Sequence, residues 1–235
     1  MADRKMFIGG EWVASRSGET QEILNPATGK VIATVPKASA ADVDRAVAAA
    51  KKAFEETWFD TTPKERMQMM LKLADRLEQH GDELARIEAE NVGKPLAATL
   101  SEEIPPIVDN VRFFAGGARF LEGRSAGEYM RGMTSYVRRE PVGVCAQVAP
   151  WNYPMMMAVW KFAPAIAAGN SIVLKPSDTT PATTTILAEI AKNTRLSLLD
   201  RLLYRFAIIP GTKRALVQLA EARWRAAEWA KDRGK

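Results

Sequence analysis

The sequence predicts an α/β protein organised around a doubly wound sheet, and two features carry that prediction. From Val142 the chain alternates apolar strand, apolar helix, apolar strand, helix, with turn residues at each junction. Upstream of it lie several segments with helical apolar spacing and recognisable start signals. A chain of 235 residues, 47% hydrophobic and 26% charged, can bury the core such a sheet needs.

The elements follow in order. Met6 to Val13 (MFIGGEWV) and Glu22 to Val35 read as short strands, turned at Gly9-Gly10 and at Asn25-Pro26-Ala27-Thr28-Gly29. Ser39 starts a helix, with Asp42 in its first turn and alanines through Ala53. Thr62-Pro63-Lys64-Glu65 is a stronger start: the Thr62 hydroxyl caps, Pro63 fits the first helical position, and Glu65 closes a capping box. Met67, Met70, Leu71, Ala74 and Leu77 then recur at helical spacing and read as core. His80, just before Gly81, suits the last turn of that helix, where a positive charge complements the dipole. A second helix spans about Asp82 to Glu90 and stops near Gly93-Lys94-Pro95; a third carries Ile107, Val111, Phe114 and Leu121 on one face. Thr134 to Arg139 alternates like an exposed strand. Val142 to Ala149 is a buried-type strand, Tyr153 to Ala168 a core helix ended by Gly169-Asn170, and Ser171 to Leu174 a further apolar strand. Thr180-Pro181-Ala182-Thr183 opens a last helix that ends near Lys192.

Charge and cysteine usage exclude several function classes. The net charge of +5 is not spread evenly: ten basic and four acidic residues lie from Asn193 onward, leaving 23 and 24 in the first 192. The body is therefore at −1 and residues 193–235 form a basic tail, so binding to nucleic acid, an acidic partner or a membrane surface is an expectation for the tail alone. One cysteine, Cys145, rules out an internal disulfide framework and fits a reducing, cytoplasmic compartment; one histidine rules out a His-rich metal site. The apolar region from Val142 to Leu174 is broken by prolines and Lys161, so no membrane span is expected. No G-x-G-x-x-G follows the Val142 strand, so a nucleotide site there needs other means than the usual glycine fingerprint.

VCAQVAPWNYPMMMAVWKFAPAIAAGNSIVLKPSD closely resembles the first βαβ unit of the NAD(P)-dependent aldehyde dehydrogenases. FIGGEWV, NPATGKVIATVP and RREPVGV resemble that family's N-terminal segments, in unbroken order over about residues 6–192, with the aminoaldehyde and betaine-aldehyde branch nearest. The resemblance implies the N-terminal portion of the aldehyde dehydrogenase fold, an incomplete doubly wound cofactor-binding sheet plus helices. Its divisions would be N-terminal strands and helices of the cofactor-binding domain (1–121), an oligomerisation strand segment (122–141), the first βαβα of the NAD-binding domain (142–192), and a basic tail without family resemblance (193–235).

It implies roles as well. Pro150 and Trp151 would lie along the cofactor, and Asn152 would match the side-chain donor to the oxyanion, although Asn also suits a plain turn. Lys175, Ser177 and Asp178 would match the ribose-binding segment; an acidic side chain there favours NAD over a 2′-phosphorylated cofactor, and the family more often has Glu at the Asp178 position. Tyr153 and Trp160, seven residues apart, would match a box for a cationic aldehyde, with Asp109 adding a carboxylate; the same residues also fit two core aromatics and a solvated acid. The family's glutamate base (E-L-G-G-K) and cysteine nucleophile (Q-x-C) have no counterpart, and Cys145 inside its strand reads as structural. The expectation is therefore a truncated aldehyde dehydrogenase, inactive as these residues stand.

Overall fold

The computed structural model describes residues 5–193 and 206–210. Its centre is a five-stranded sheet in the order β2-β1-β9-β8-β7. The strands are β1 (Met6–Ile8), β2 (Glu11–Val13), β7 (Val144–Val148), β8 (Ser171–Lys175) and β9 (Phe206–Ile208). β7, β8 and β9 run parallel, while β1 joins β9 antiparallel and folds back on β2 through Gly9 and Gly10. Both glycines hold positive φ, which a tight reversal demands and a side chain resists.

Alternation along each strand sends side chains to two different cores. Met6, Ile8, Val173, Ala207 and Ile209 pack on one face with Val43, Ala46 and Ala50 of α1 (Ala40–Ala53). Phe7, Ile172, Leu174 and Ile208 face the other way. There they meet the apolar stripes of α2 (Pro63–Gln79), α5 (Ile104–Gly117), α6 (Pro154–Ala167) and α7 (Ala182–Asn193). The sheet is thus covered by helices on both faces, the doubly wound α/β arrangement the alternating pattern predicts.

Local signals set the helix boundaries. Thr62 Oγ1 accepts from the Glu65 amide at 3.3 Å and Glu65 Oε2 accepts from the Thr62 amide at 2.8 Å, closing the expected capping box. Ser39 and Asp42 make a second box at α1. Asp42 is fully buried and also accepts from Ser15 Oγ (2.9 Å) and the Arg16 amide (3.2 Å). Burial works against its charge, but these hydrogen bonds outweigh burial and hold its carboxyl below the usual range. α3 (Gly81–Val92) ends at Gly93 with φ 81°, and α4 (Leu96–Ala98) follows Pro95. His80 joins α2 to α3, and its Nδ1 lies 3.0 Å from Glu83 Oε2.

Two hairpins stand off the main sheet, β3 (Thr20–Leu24) with β4 (Val31–Pro36) and β5 (Arg124–Met130) with β6 (Met133–Val137). The second leaves Tyr129, Met130, Met133, Tyr136 and Val137 exposed.

Three expectations need correction. β7 is an edge strand, paired only with β8 among the described residues, so its side chains are mostly half-buried. Leu121 lies past the end of α5 and is exposed rather than continuing its buried face. The strand Arg124–Met130 falls within the 122–141 segment that the resemblance marks as strand, although its own residues show no alternation. Within the basic tail, Phe206–Ile208 enters the sheet between β1 and β8, fixed by Ile209 N–H donating to Leu174 O (3.1 Å) and Ala38 N–H to Pro210 O (2.9 Å). The other tail residues, 194–205 and 211–235, lie outside the described residues, and with them the charge that motivated a nucleic-acid reading. Among the described residues, no helix is long and apolar enough to cross a membrane.

Candidate functional site

β7 and β8 are parallel and in register to their ends, with Val148 opposite Lys175 and the Ala149 amide donating to Lys175 O at 3.0 Å. The chain therefore leaves both strands side by side at their carboxyl edge, where open α/β sheets bind ligands. One exit is Pro150-Trp151-Asn152-Tyr153 and the other is Lys175-Pro176-Ser177-Asp178. The structure brings together all the residues expected at a cofactor: Pro150, Trp151, Asn152, Lys175, Ser177 and Asp178.

On the β8 side, Lys175 is buried, and its Nζ donates to Asp178 Oδ1 (2.6 Å) and Pro176 O (3.0 Å). Desolvating an ammonium is costly unless it is paired, and this pair keeps a charged donor and an acidic acceptor at the strand end. Gln21, on β3, donates from Nε2 to Asp178 O and braces the turn from outside. Ser177 Oγ lies 3.1 Å from Thr179 Oγ1. A buried lysine, a half-buried carboxylate and two hydroxyls form a donor and acceptor set that suits ribose hydroxyls, so these residues fit a nicotinamide dinucleotide without a glycine fingerprint.

On the β7 side, Trp151, Asn152 and Tyr153 form an exposed bend before α6. Tyr153 is the N-cap residue of α6 but offers no side-chain cap, and Pro154 takes the first helical position. The cap comes from another helix: Glu88 of α3 accepts from the Met155 amide through Oε1 at 3.2 Å and from Thr183 Oγ1 through Oε2. Burial pushes the Glu88 carboxyl up to about 7, and the bonds from Thr183 and Met155 oppose that rise only in part. Asn91, one turn later, does the same for α7, accepting from the Ala182 amide (3.2 Å) and donating to Thr179 O (3.1 Å).

The expected substrate box is assembled only in part. Tyr153 and Trp160 are both exposed, but Tyr153 is the non-helical N-cap residue of α6 while Trp160 lies within the helix. Asp109 is exposed on α5, which packs against α6. One face of the Tyr153 ring already carries a cation from the chain itself: Lys94 Nζ sits 3.3 Å from the ring centroid and pairs with Glu103 Oε1 at 2.7 Å. Cys145 lies half-buried within β7 against the main core, away from the strand end. Among the described residues, no group of three or more His, Cys, Asp or Glu is placed to hold a metal ion.

Sequence reasoning missed Gln21, Glu88, Lys94 and Thr180, whose Oγ1 donates to Trp151 O at 3.4 Å. Glu88 alone carried a signal, because it stands four residues after Leu84 on the apolar face of its helix, where a charge needs a reason.

Comparisons with known proteins identify the family and the fold. Residues 12–198 match the model of the aldehyde dehydrogenase family. The chain is 43% identical over 191 residues to the "Putative aldehyde dehydrogenase DhaS" of Bacillus subtilis, covering 80% of this chain and 38% of that protein. Among solved structures, the NAD+ complex of an aldehyde dehydrogenase from Bacillus cereus superposes with a TM-score of 0.85 at 38% identity, covering 92% of this chain and 43% of that one. A betaine aldehyde dehydrogenase double mutant from Staphylococcus aureus, solved with NAD+, superposes with a TM-score of 0.82 at 34% identity, covering 90% and 42%. The chain thus spans well under half the length of these relatives.

Proposed function

This chain belongs to the aldehyde dehydrogenase family, and on that premise we propose that it presents one wall of an NAD site together with the oxyanion donor of an aldehyde-oxidising centre. One observation carries the reading: the in-register parallel pair β7 and β8 delivers Pro150-Trp151-Asn152 and Lys175-Pro176-Ser177-Asp178 to the same edge of the sheet. Lys175 and Asp178 would hold the adenosine ribose, and the acid favours NAD by disfavouring a 2′-phosphate. When bound, NAD supplies the hydride acceptor for aldehyde oxidation. The strand end at Ile209-Pro210 adds a third neighbour at that edge, which a sheet of β7 and β8 alone would lack.

The Asn152 amide would donate to the oxygen that gains negative charge when a nucleophile adds to the aldehyde carbon; one such donor contributes about 3 kcal/mol. A substrate with a cationic amine end would use the Trp160 face, each such contact adding about 0.5–2 kcal/mol, while Tyr153 is partly committed to Lys94. The exposed β5–β6 hairpin, with its tyrosines and methionines, is the surface we assign to self-association.

Catalysis needs a thiolate as well as a donor. Cys145 is the only cysteine in these 235 residues, and it is packed in a strand. These residues alone are therefore expected to give no NADH above background from 4-aminobutanal, betaine aldehyde or propanal, read at the reduced-nicotinamide absorbance band. Turnover that disappears in Cys145→Ala would overturn the assignment of the cysteine. Turnover that survives Cys145→Ala but is lost in Asn152→Ala would require a mechanism without a thiol.

A further inference from the structure

We propose that Glu88 and Lys94 are positioning residues for the Trp151-Asn152-Tyr153 turn, fixing from outside the cofactor site where the Asn152 amide sits. The inference rests on the reading of Asn152 as an oxyanion donor, but its physical content concerns the turn alone.

The first turn of any helix leaves amide donors without intrahelical partners, and the residue before it normally supplies an acceptor. Tyr153 cannot, because its side chain offers no cap. Glu88 provides the acceptor from α3, on the Met155 amide three residues after Asn152. An anionic acceptor at that helix end also gains from the dipole. The same carboxylate takes the Thr183 hydroxyl at the start of α7, so one buried side chain ties together the beginnings of both helices that follow the cofactor-facing strands.

Lys94 fixes the other side of the turn. Its ammonium lies between Glu103 Oε1 at 2.7 Å and the Tyr153 ring at 3.3 Å. Thr180 Oγ1 holds the Trp151 carbonyl at 3.4 Å. The residues on both flanks of Asn152 and the helix behind it are therefore anchored, and every anchor comes from α3, the segment after it, or the loop before α7.

Glu88 is also a group whose charge changes near neutrality. The groups that face it are the Thr183 hydroxyl and Met155 amide, which favour its charge, Glu103, which opposes it, and Lys94, which favours it. Protonation removes the anionic acceptor from the Met155 amide, so the set of the turn is expected to follow the Glu88 proton.

The test is nuclear magnetic resonance on the whole 15N-labelled chain without cofactor or aldehyde, so that a failure to bind NAD leaves the result readable. Across the neutral range, the Met155 backbone amide and the Asn152 side-chain amide pair are expected to titrate with one common midpoint. Both titrations disappear in Glu88→Gln, reappear in Glu88→Asp, and persist in His80→Asn, which removes the only imidazole. Lys94→Met is expected to displace the Asn152 pair while leaving the Met155 titration in place. If Glu88→Gln does not fold, the parent titration and Lys94→Met decide. An Asn152 pair that ignores pH while Met155 titrates would overturn the role of Glu88, and an Asn152 pair unmoved by Lys94→Met would overturn that of Lys94.

Discussion

Replacing Glu88 by Gln should change how stability depends on pH, and the sign follows from burial. In the folded chain this carboxyl rises from the ordinary 4.5 to about 7 because burial removes water from its charged form, with Glu103 nearby adding to the rise. The folded state therefore binds a proton that the unfolded state has released between these two values. That contribution to stability is fully present below the unfolded value of 4.5, falls as pH rises from there, and is lost once pH has passed through about 7. Between pH ~5 and ~8 the loss amounts to about 2–3 kcal/mol. Glutamine keeps the shape and an acceptor oxygen for the Met155 amide but carries no proton to lose. Urea unfolding at the two pH values should show the parent losing about 2–3 kcal/mol more than Glu88→Gln. Equal pH dependence in the two proteins would refute the reasoning, and a parent that gains stability relative to the variant would reverse its sign.

Three further substitutions test the packing around the site. Asp42→Ala strands the Ser15 and Ser39 hydroxyls and the Arg16 and Ser39 amides, and should cost about 3 kcal/mol in chemical denaturation; the parent's own advantage over this variant should shrink as acid protonates Asp42, whose carboxyl is held low. Ile208→Ala, at a fully buried position between Phe7 and Leu174, should cost about 2–4 kcal/mol if the tail strand belongs in the sheet; an unchanged urea midpoint would remove β9 from the fold. Gly93→Ala places a Cβ 2.7 Å from Pro26 Cγ at a φ of 81°, and should destabilise by about 1–3 kcal/mol, measured by thermal melting.

What could be read in the sequence was local, and what could not be read was long-range. Thr62, Pro63 and Glu65 determine a helix start within one turn, and the structure contains that capping box. The alternation of Met6, Phe7 and Ile8 and of Ile172, Val173 and Leu174 needs only the strand period to divide into two cores. Periodicity gave no warning that β7 lacks a second neighbour among the described residues, because an apolar strand looks the same at an edge or in the middle of a sheet. Leu121 keeps the helical spacing of Ile107, Val111 and Phe114, yet α5 ends at Gly117. The FAIIP segment sits among basic residues, so its charge context hid a short apolar strand that pairs with β8 more than thirty residues upstream. The Glu88 partners lie 67 and 95 residues away, beyond any pattern a single helix can display. The residues at the two strand ends were legible because they cluster in two short motifs, whereas their supports, Gln21, Lys94 and Thr180, each come from a separate segment.

The most direct measurement is an NAD titration of the whole chain by calorimetry or ligand-observed magnetic resonance, with Lys175→Ala and Asp178→Asn in parallel. One wall of a site, without the parts of the relatives beyond the matched region, should bind no tighter than roughly millimolar. The account predicts weak binding that Lys175→Ala and Asp178→Asn each reduce severalfold, because the pair at 2.6 Å places the charged donor and acceptor at the strand end. Binding that neither substitution changes, or no binding at concentrations about tenfold above that limit, would contradict the assignment of the β7 and β8 strand ends as an NAD site.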